Sequence, residues 1–170
     1  MSVKFKYHDN PLKSKVFKQG AKQVCQCCND TIDTWYTGPF YSIKDITCLC
    51  EDCICSGKAA ETFNGSFIGS ADYIDNFNKY VELIYKNPGI YSYQDLKWPS
   101  HCNDYCKFIN YVTWEDLIKL KIDKSIIYNK DKNGFSLETL KENMTKNGYI
   151  KGYLFQCLSC KKYILLADCS

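Results

Sequence analysis

The chain has 170 residues, 45% of them hydrophobic, with 12 cysteines and a net charge of +3. That length can bury a real core in a single domain, and no apolar run approaches the roughly eighteen residues of a membrane helix. All 22 basic residues are lysine. Arginine is the usual reader of phosphate and guanine, so its absence disfavours a nucleic-acid partner.

The opening stretch, "MSVKFKYHDNPLKSKVFKQG", is basic but lacks the apolar centre of a secretory signal. A cytoplasmic location follows as the expectation. In that reducing setting cysteines bind metal more often than they pair. Residues 1–22 should be extended and partly exposed, punctuated by Pro11 and Gly20. "TWYTGPFYSI" alternates aromatic and small residues around Gly38-Pro39 and predicts two short strands about a turn. The run from Glu51 to Phe63 has helical character.

"SADYIDNFNKYVELIYKN" predicts the clearest helix, capped by Ser70 or Asp72, with Ile74, Phe77, Val81 and Ile84 on its inner face. "YSYQDLKWPS" reads as a loop. Thr113 with Asp116 three residues on predicts a capping box and a short helix. Ser136 caps another, with Leu137, Leu140 and Met144 inward. "GYIKGYLFQC" and "KKYILLADC" read as strands joined through "CLSC". Helices interrupt strands without regular alternation, so the fold class is α+β: mostly antiparallel strands and hairpins with zinc knuckles, plus several short helices. The whole chain, 1–170, is expected to be a single zinc-binding domain, in which two zinc-stapled lobes would fall at roughly 1–65 and 66–170.

Two cysteine pairs share one spacing, Cys25-x2-Cys28 and Cys50-x2-Cys53. A two-residue gap lets both sulfurs of a tight turn face one point, and two such turns make a tetrahedral four-thiolate zinc site. An iron–sulfur centre accepts the same ligands. Cys27, Cys48 and Cys55 are then bystanders. A second site is expected from Cys157 and Cys160 at the tip of the last hairpin, joined by Cys102 and Cys106, which share a face if "HCNDYC" is helical. His101 is the substitute ligand. The cofactor expected is therefore Zn²⁺, in one structural site, with the later cysteines open to a second.

Enzyme signatures are missing: there is no H-E-x-x-H, no H-x-E paired with P-C-x-x-C, and no phosphate-binding glycine loop. A metal- or thiol-dependent enzyme centred on His101, Cys102 and Asp104 is the alternative to a binding protein. Charge is unevenly spread. Residues 1–22 carry a net +5, residues 23–117 a net −7 and residues 118–170 a net +5. An acidic middle attracts basic partners and speeds their association.

In order along the chain, "FKYHDNP", "VCQCC", "YTGPFYS", "CLCEDCICSGKAAETF", "HCNDYCKFINYV" and "GYLFQCLSCKKYILLADC" resemble the CbrC-like family over nearly the full length. That family is named after an enterobacterial protein linked to tolerance of a DNase colicin. The resemblance places the family's first cysteine pattern on Cys25, Cys28, Cys50 and Cys53. It places a His-Cys pair followed by Asp on His101, Cys102 and Asp104, and a late pair on Cys157 and Cys160. It also raises His101 and Cys169 as alternatives to Cys106. It implies an immunity protein that binds a cognate toxin, a nuclease, by direct contact. Asp72, Asp75, Glu82, Glu115 and Asp116 are the acids expected near that contact.

Overall fold

A computed structural model describes residues 5–129 and 134–170. The first hairpin pairs β1 (Phe17–Val24) with β2 (Thr31–Tyr36) antiparallel, with a register irregularity between Gln19 and Gln23. The expected strand pair around Gly38-Pro39 does not form. Its first half is β2, but the partner strand lies upstream, in the stretch expected to be merely extended. The Tyr36 ring and hydroxyl explain this: the hydroxyl donates to Pro39 O at 2.7 Å, and a Cβ on Gly38 would lie 2.6 Å from the Tyr36 Oη. The chain after Tyr36 is therefore folded over the ring, and Gly38 N donates to Val16 O.

The run from residue 51 to 63 is broken into α1 (Glu51–Cys55) and α2 (Lys58–Phe63). Gly57 between them has φ +86°, a left-handed value that glycine adopts without strain. Helix α3 (Phe77–Lys86) starts later than the sequence implies, with Asn76 as its cap accepting from Lys79 N at 3.1 Å. The two residues expected to cap it are engaged elsewhere. Ser70 O accepts from Trp98 N, and an Asp72 carboxylate oxygen accepts from Ser100 N at 3.0 Å. Leu83 and Ile84 are buried, while Phe77, on the same face but in the first turn, is 75% exposed rather than inward.

A small hairpin follows, β3 (Ser100–His101) with β4 (Asp104–Tyr105). The main sheet is β5 (Lys107–Val112), β6 (Ile150–Gln156) and β7 (Tyr163–Cys169), antiparallel throughout, with β6 central. Helix α4 (Trp114–Lys119) has the expected capping box, and α5 (Leu137–Asn143) has Ser136 as its cap. Leu140 and Met144 are buried as expected, whereas Leu137 is exposed. The fold class expected from the sequence is the one observed, with five helices and seven antiparallel strands among the described residues.

Strand alternation divides the core. On β6 and β7, Tyr153, Phe155, Ile164 and Leu166 face a large aromatic cluster containing Tyr7, Phe17, Tyr36, Phe67, Trp98 and Phe108. Ile150, Leu154, Leu165 and Ala167 face a smaller cluster with Leu117, Leu140 and Met144. The sheet is thus covered on both sides. The larger core takes residues from both sides of the 65/66 line and closes over the two cysteine-bearing regions.

Candidate metal centres

Two hairpins in this fold end in the same backbone device. Between β1 and β2, Cys25 N donates to Asp30 O at 2.9 Å, Asn29 N donates to Cys25 O at 2.9 Å, and Asn29 has φ +65°. Between β6 and β7, Cys157 N donates to Lys162 O at 2.9 Å, Lys161 N donates to Cys157 O at 3.2 Å, and Lys161 has φ +61°. In each, a left-handed residue directly after the second cysteine turns the chain. Both cysteines of the turn then present their sulfurs to one side, the geometry of a metal knuckle.

In the first centre the Cys25–Cys28 knuckle meets the N-terminus of α1. Cys50 is the helix cap, its sulfur accepting from Cys53 N at 3.4 Å, and Cys50 N donates to Cys25 Sγ at 3.3 Å. Helix N-termini favour negative charge, so this pair of thiolates is well placed. The sulfurs of Cys25 and Cys53 are 4.0 Å apart, and those of Cys28 and Cys50 are 3.8 Å apart. Zn–S bonds of about 2.3 Å at the tetrahedral angle put sulfurs about 3.8 Å apart. Cys25, Cys50 and Cys53 are buried.

Titration in this centre follows from its packing. Burial opposes the Cys25 thiolate, but the backbone N–H groups of Cys28, Cys27 and Cys50 outweigh it and bring the thiol down to about 7. Burial pushes Cys28 up to about 12 and Cys53 higher still. Without a cation, four sulfurs at this spacing cannot all be thiolates. A divalent metal resolves that conflict by holding all four deprotonated.

The second centre gathers His101, Cys102, Cys157 and Cys160, whose ligand atoms all lie within 4.8 Å of one another. His101 Nδ1 is 3.1 Å from Cys102 Sγ and 3.4 Å from Cys160 Sγ. The structure brings His101 here in the place the sequence reading favours for Cys106. The cause is local. "HCNDYC" is not helical but a two-residue hairpin turn, with Cys102 and Asn103 both left-handed at φ +54° and +55°. Such a turn, with positive φ at both central residues, normally holds Asn-Gly or Asp-Gly. It carries Cys102 to the tip while Cys106, beyond β4, is fully buried in the core. Burial pushes the Cys106 thiol up to about 12, and its sulfur lies outside both groups of ligand atoms. Cys169 lies at the end of β7 beside Gln94, outside both groups.

Other expected residues fall elsewhere. Cys27 contacts Thr62, Cys55 is exposed, and neither these nor Cys48 joins a ligand group. Asp104 does not back His101: its carboxylate takes the Tyr7 hydroxyl at 3.0 Å and pairs with Lys79 at 3.1 Å. Of the trio His101, Cys102 and Asp104, the structure brings the His101 ring and the Cys102 sulfur together, and the Asp104 carboxylate is engaged by Tyr7 and Lys79. Among the five acids expected at a partner surface, Asp72 bonds Ser100 and pairs with Lys97, Glu82 pairs with Lys6, Glu115 pairs with Lys119, and Asp116 closes the capping box that Thr113 opens on α4. Asp75 is exposed next to the α3 cap. Around it lies a cleft lined by Ala71, Tyr73, Ile74, Phe77, Tyr80 and Tyr105, with Tyr73 86% exposed. The sequence hides this aromatic face because α3 is expected to start earlier, with Phe77 inward.

Residues 3–169 match an uncharacterised protein family, UPF0167, and the chain belongs to that family. It is 27% identical to UPF0167 proteins of Mycobacterium bovis and Mycobacterium tuberculosis, over 96% of this chain and 91% of each relative. A UPF0167 protein of Pseudomonas aeruginosa is 29% identical over 92% of this chain and 90% of its own length. No solved structure matches significantly. No helix among the described residues is long and apolar enough to cross a membrane.

Proposed function

We propose that this UPF0167 member binds two Zn²⁺ ions in structural sites and acts as a cytoplasmic binding protein that blocks a bacterial toxin, a nuclease, by direct contact. The observation that carries the metal assignment is the pair of four-donor groups, each gathered within 4.8 Å and built on the same knuckle, the first with its sulfurs 3.8 and 4.0 Å apart. Four sulfurs, or three sulfurs and an imidazole, are donor sets that suit zinc, and four protein ligands fill its tetrahedral shell. In that state the metal offers no open position for substrate, which favours a structural role over hydrolysis. Elemental analysis of the purified chain should give two zinc ions per molecule; iron with sulfide, or no metal, would overturn the assignment.

The toxin-binding part rests on the resemblance to colicin-tolerance proteins and on the surface chemistry. Residues 23–117 carry a net −7, and the exposed aromatics beside Asp75 supply the flat, stiff contact area typical of binding hot spots. The test is titration of the protein against a nuclease toxin from the same gene neighbourhood. Inhibition should saturate at one protein per toxin and weaken at least about tenfold in a Tyr73→Ala/Phe77→Ala variant. Toxin activity unaffected by an excess of the protein would sink this reading.

A further inference from the structure

The two centres differ in what reaches them. Three of the four ligands in the first are buried. In the second, Cys102 and Cys160 are both exposed, and only Cys157 is buried. We propose that Cys102 and Cys160 form an oxidation site: a peroxide joins them as a disulfide and expels the second metal, while the first centre keeps its own. This rests on the reading that both centres hold zinc.

The geometry supports that pair over others. Their sulfurs belong to one ligand group whose donor atoms lie within 4.8 Å of one another, so bonding needs a small approach rather than a rearrangement. Each sits at the tip of a hairpin, Cys102 on the β3–β4 turn and Cys160 on the β6–β7 knuckle. Cys102 is the first of the two left-handed residues of its turn, which holds its sulfur at the exposed tip. The buried Cys157, with its sulfur 3.7 Å from His101 O, is shielded from the reagent.

The chemistry balances with hydrogen peroxide as oxidant. One exposed thiolate attacks a peroxide oxygen, the O–O bond breaks, hydroxide leaves, and a sulfenic acid remains. The second thiolate attacks that sulfur, an S–S bond forms, the S–O bond breaks, and a second hydroxide leaves. Two sulfurs lose two electrons and the peroxide gains them; two protons from solvent complete two waters. The zinc is left with His101 and Cys157 and dissociates.

The experiment uses the zinc-loaded full chain. Metal content is measured first, and it decides the two-zinc reading by itself. Stoichiometric hydrogen peroxide is then added, zinc release is followed with a chromogenic chelator, and disulfides are mapped by mass spectrometry after alkylation. One of the two zinc ions should leave at least about tenfold faster than the other, together with a Cys102–Cys160 crosslink, and a dithiol reductant plus zinc should restore both. Cys102→Ser should show no peroxide-dependent crosslink at Cys160; if that variant is unfolded, the wild-type map still decides. Equal loss from both centres, release with a different disulfide, or full retention of both metals would each overturn the proposal. A chain that never holds the second zinc overturns it as well, along with the reading it rests on.

Discussion

The first centre is a clamp inside the core, and the second is a clasp at its edge. Both begin with the same knuckle at a hairpin tip, yet the other half of each is different. In the first, the partner pair rides on α1, whose Cys53 and Ile54 are buried in the aromatic core. In the second, the partner pair rides on a hairpin with two residues per strand, tied to α3 by Lys79 Nζ donating to Asn103 O at 2.9 Å. The lesson is that ligand type does not set the role of a centre. What each metal would hold in place does: a helix and its core in one case, a surface loop in the other.

The largest effect should come from breaking the clamp. Structural zinc supplies roughly 10–16 kcal/mol of folding free energy in small sites, against a total stability of about 5–15 kcal/mol for a domain. Cys50→Ser removes a ligand and the sulfur cap of α1 together, so the variant should lose cooperative unfolding and most near-ultraviolet ellipticity. A Cys50→Ser protein with two zinc ions and a wild-type melting curve would end the distinction between the centres. Cys160→Ser should be milder. It should keep one zinc, keep its fold and lose roughly 4 kcal/mol, with hydrogen exchange raised mainly in β3, β4 and the β6–β7 turn.

How much of this was legible in the sequence follows from the range of each contact. Cys25-x2-Cys28 and Cys157-x2-Cys160 are local turns, and their spacing alone marks them. The Thr113–Asp116 capping box is equally local, and it is present as expected. His101 was not legible as the favoured ligand, because its choice over Cys106 depends on whether "HCNDYC" coils or turns. A four-residue spacing shares a face on a helix, but across a hairpin it sends one sulfur to the tip and the other into the core. The start of α3 was hidden for a similar reason: Asp72 has cap chemistry, and a contact with Ser100, 28 residues away, takes it. The partner of β2 is likewise set by a longer-range contact: β1 pairs with it from upstream, and the chain after Tyr36 folds over that ring.

The core that joins the two candidate centres carries a titratable group of its own. His8 is buried, with Nε2 2.8 Å from Ser14 Oγ, Nδ1 3.4 Å from Pro88 O and its ring edge-on to Phe108. Burial drives its pKa down to about 4, with the Pro88 carbonyl opposing only in part. A histidine depressed in the folded state is neutral there and charged in the unfolded chain. Its contribution is therefore intact above about pH 6.5 and is lost as the pH falls from 6.5 towards 4. The loss reaches about 3 kcal/mol at pH 4. Acid also protonates the thiols of both centres, so the check is a difference. Stability against pH for His8→Asn should start lower but slope less steeply than wild type between pH 6.5 and 4. Parallel slopes would assign all the acid sensitivity to the metals.

The smallest effect compares two helix caps. Cys50 caps α1 with a sulfur that also faces three other thiols, and Thr113 caps α4 with nothing but its hydroxyl and Asp116. Thr113 Oγ1 accepts from Asp116 N at 3.2 Å, and an Asp116 carboxylate oxygen accepts from Thr113 N at 2.8 Å. An ordinary cap of this kind contributes about 1 kcal/mol. Thr113→Ala should therefore lower the melting temperature by about 2–4 °C and leave the zinc content unchanged. The same chemical act, deleting the acceptor at a helix N-terminus, would then unfold the protein at position 50 and barely disturb it at 113. If Thr113→Ala instead cost zinc, the smaller core on the far side of the sheet would have to be coupled to the metal centres, and the separation of clamp, clasp and sheet would not hold.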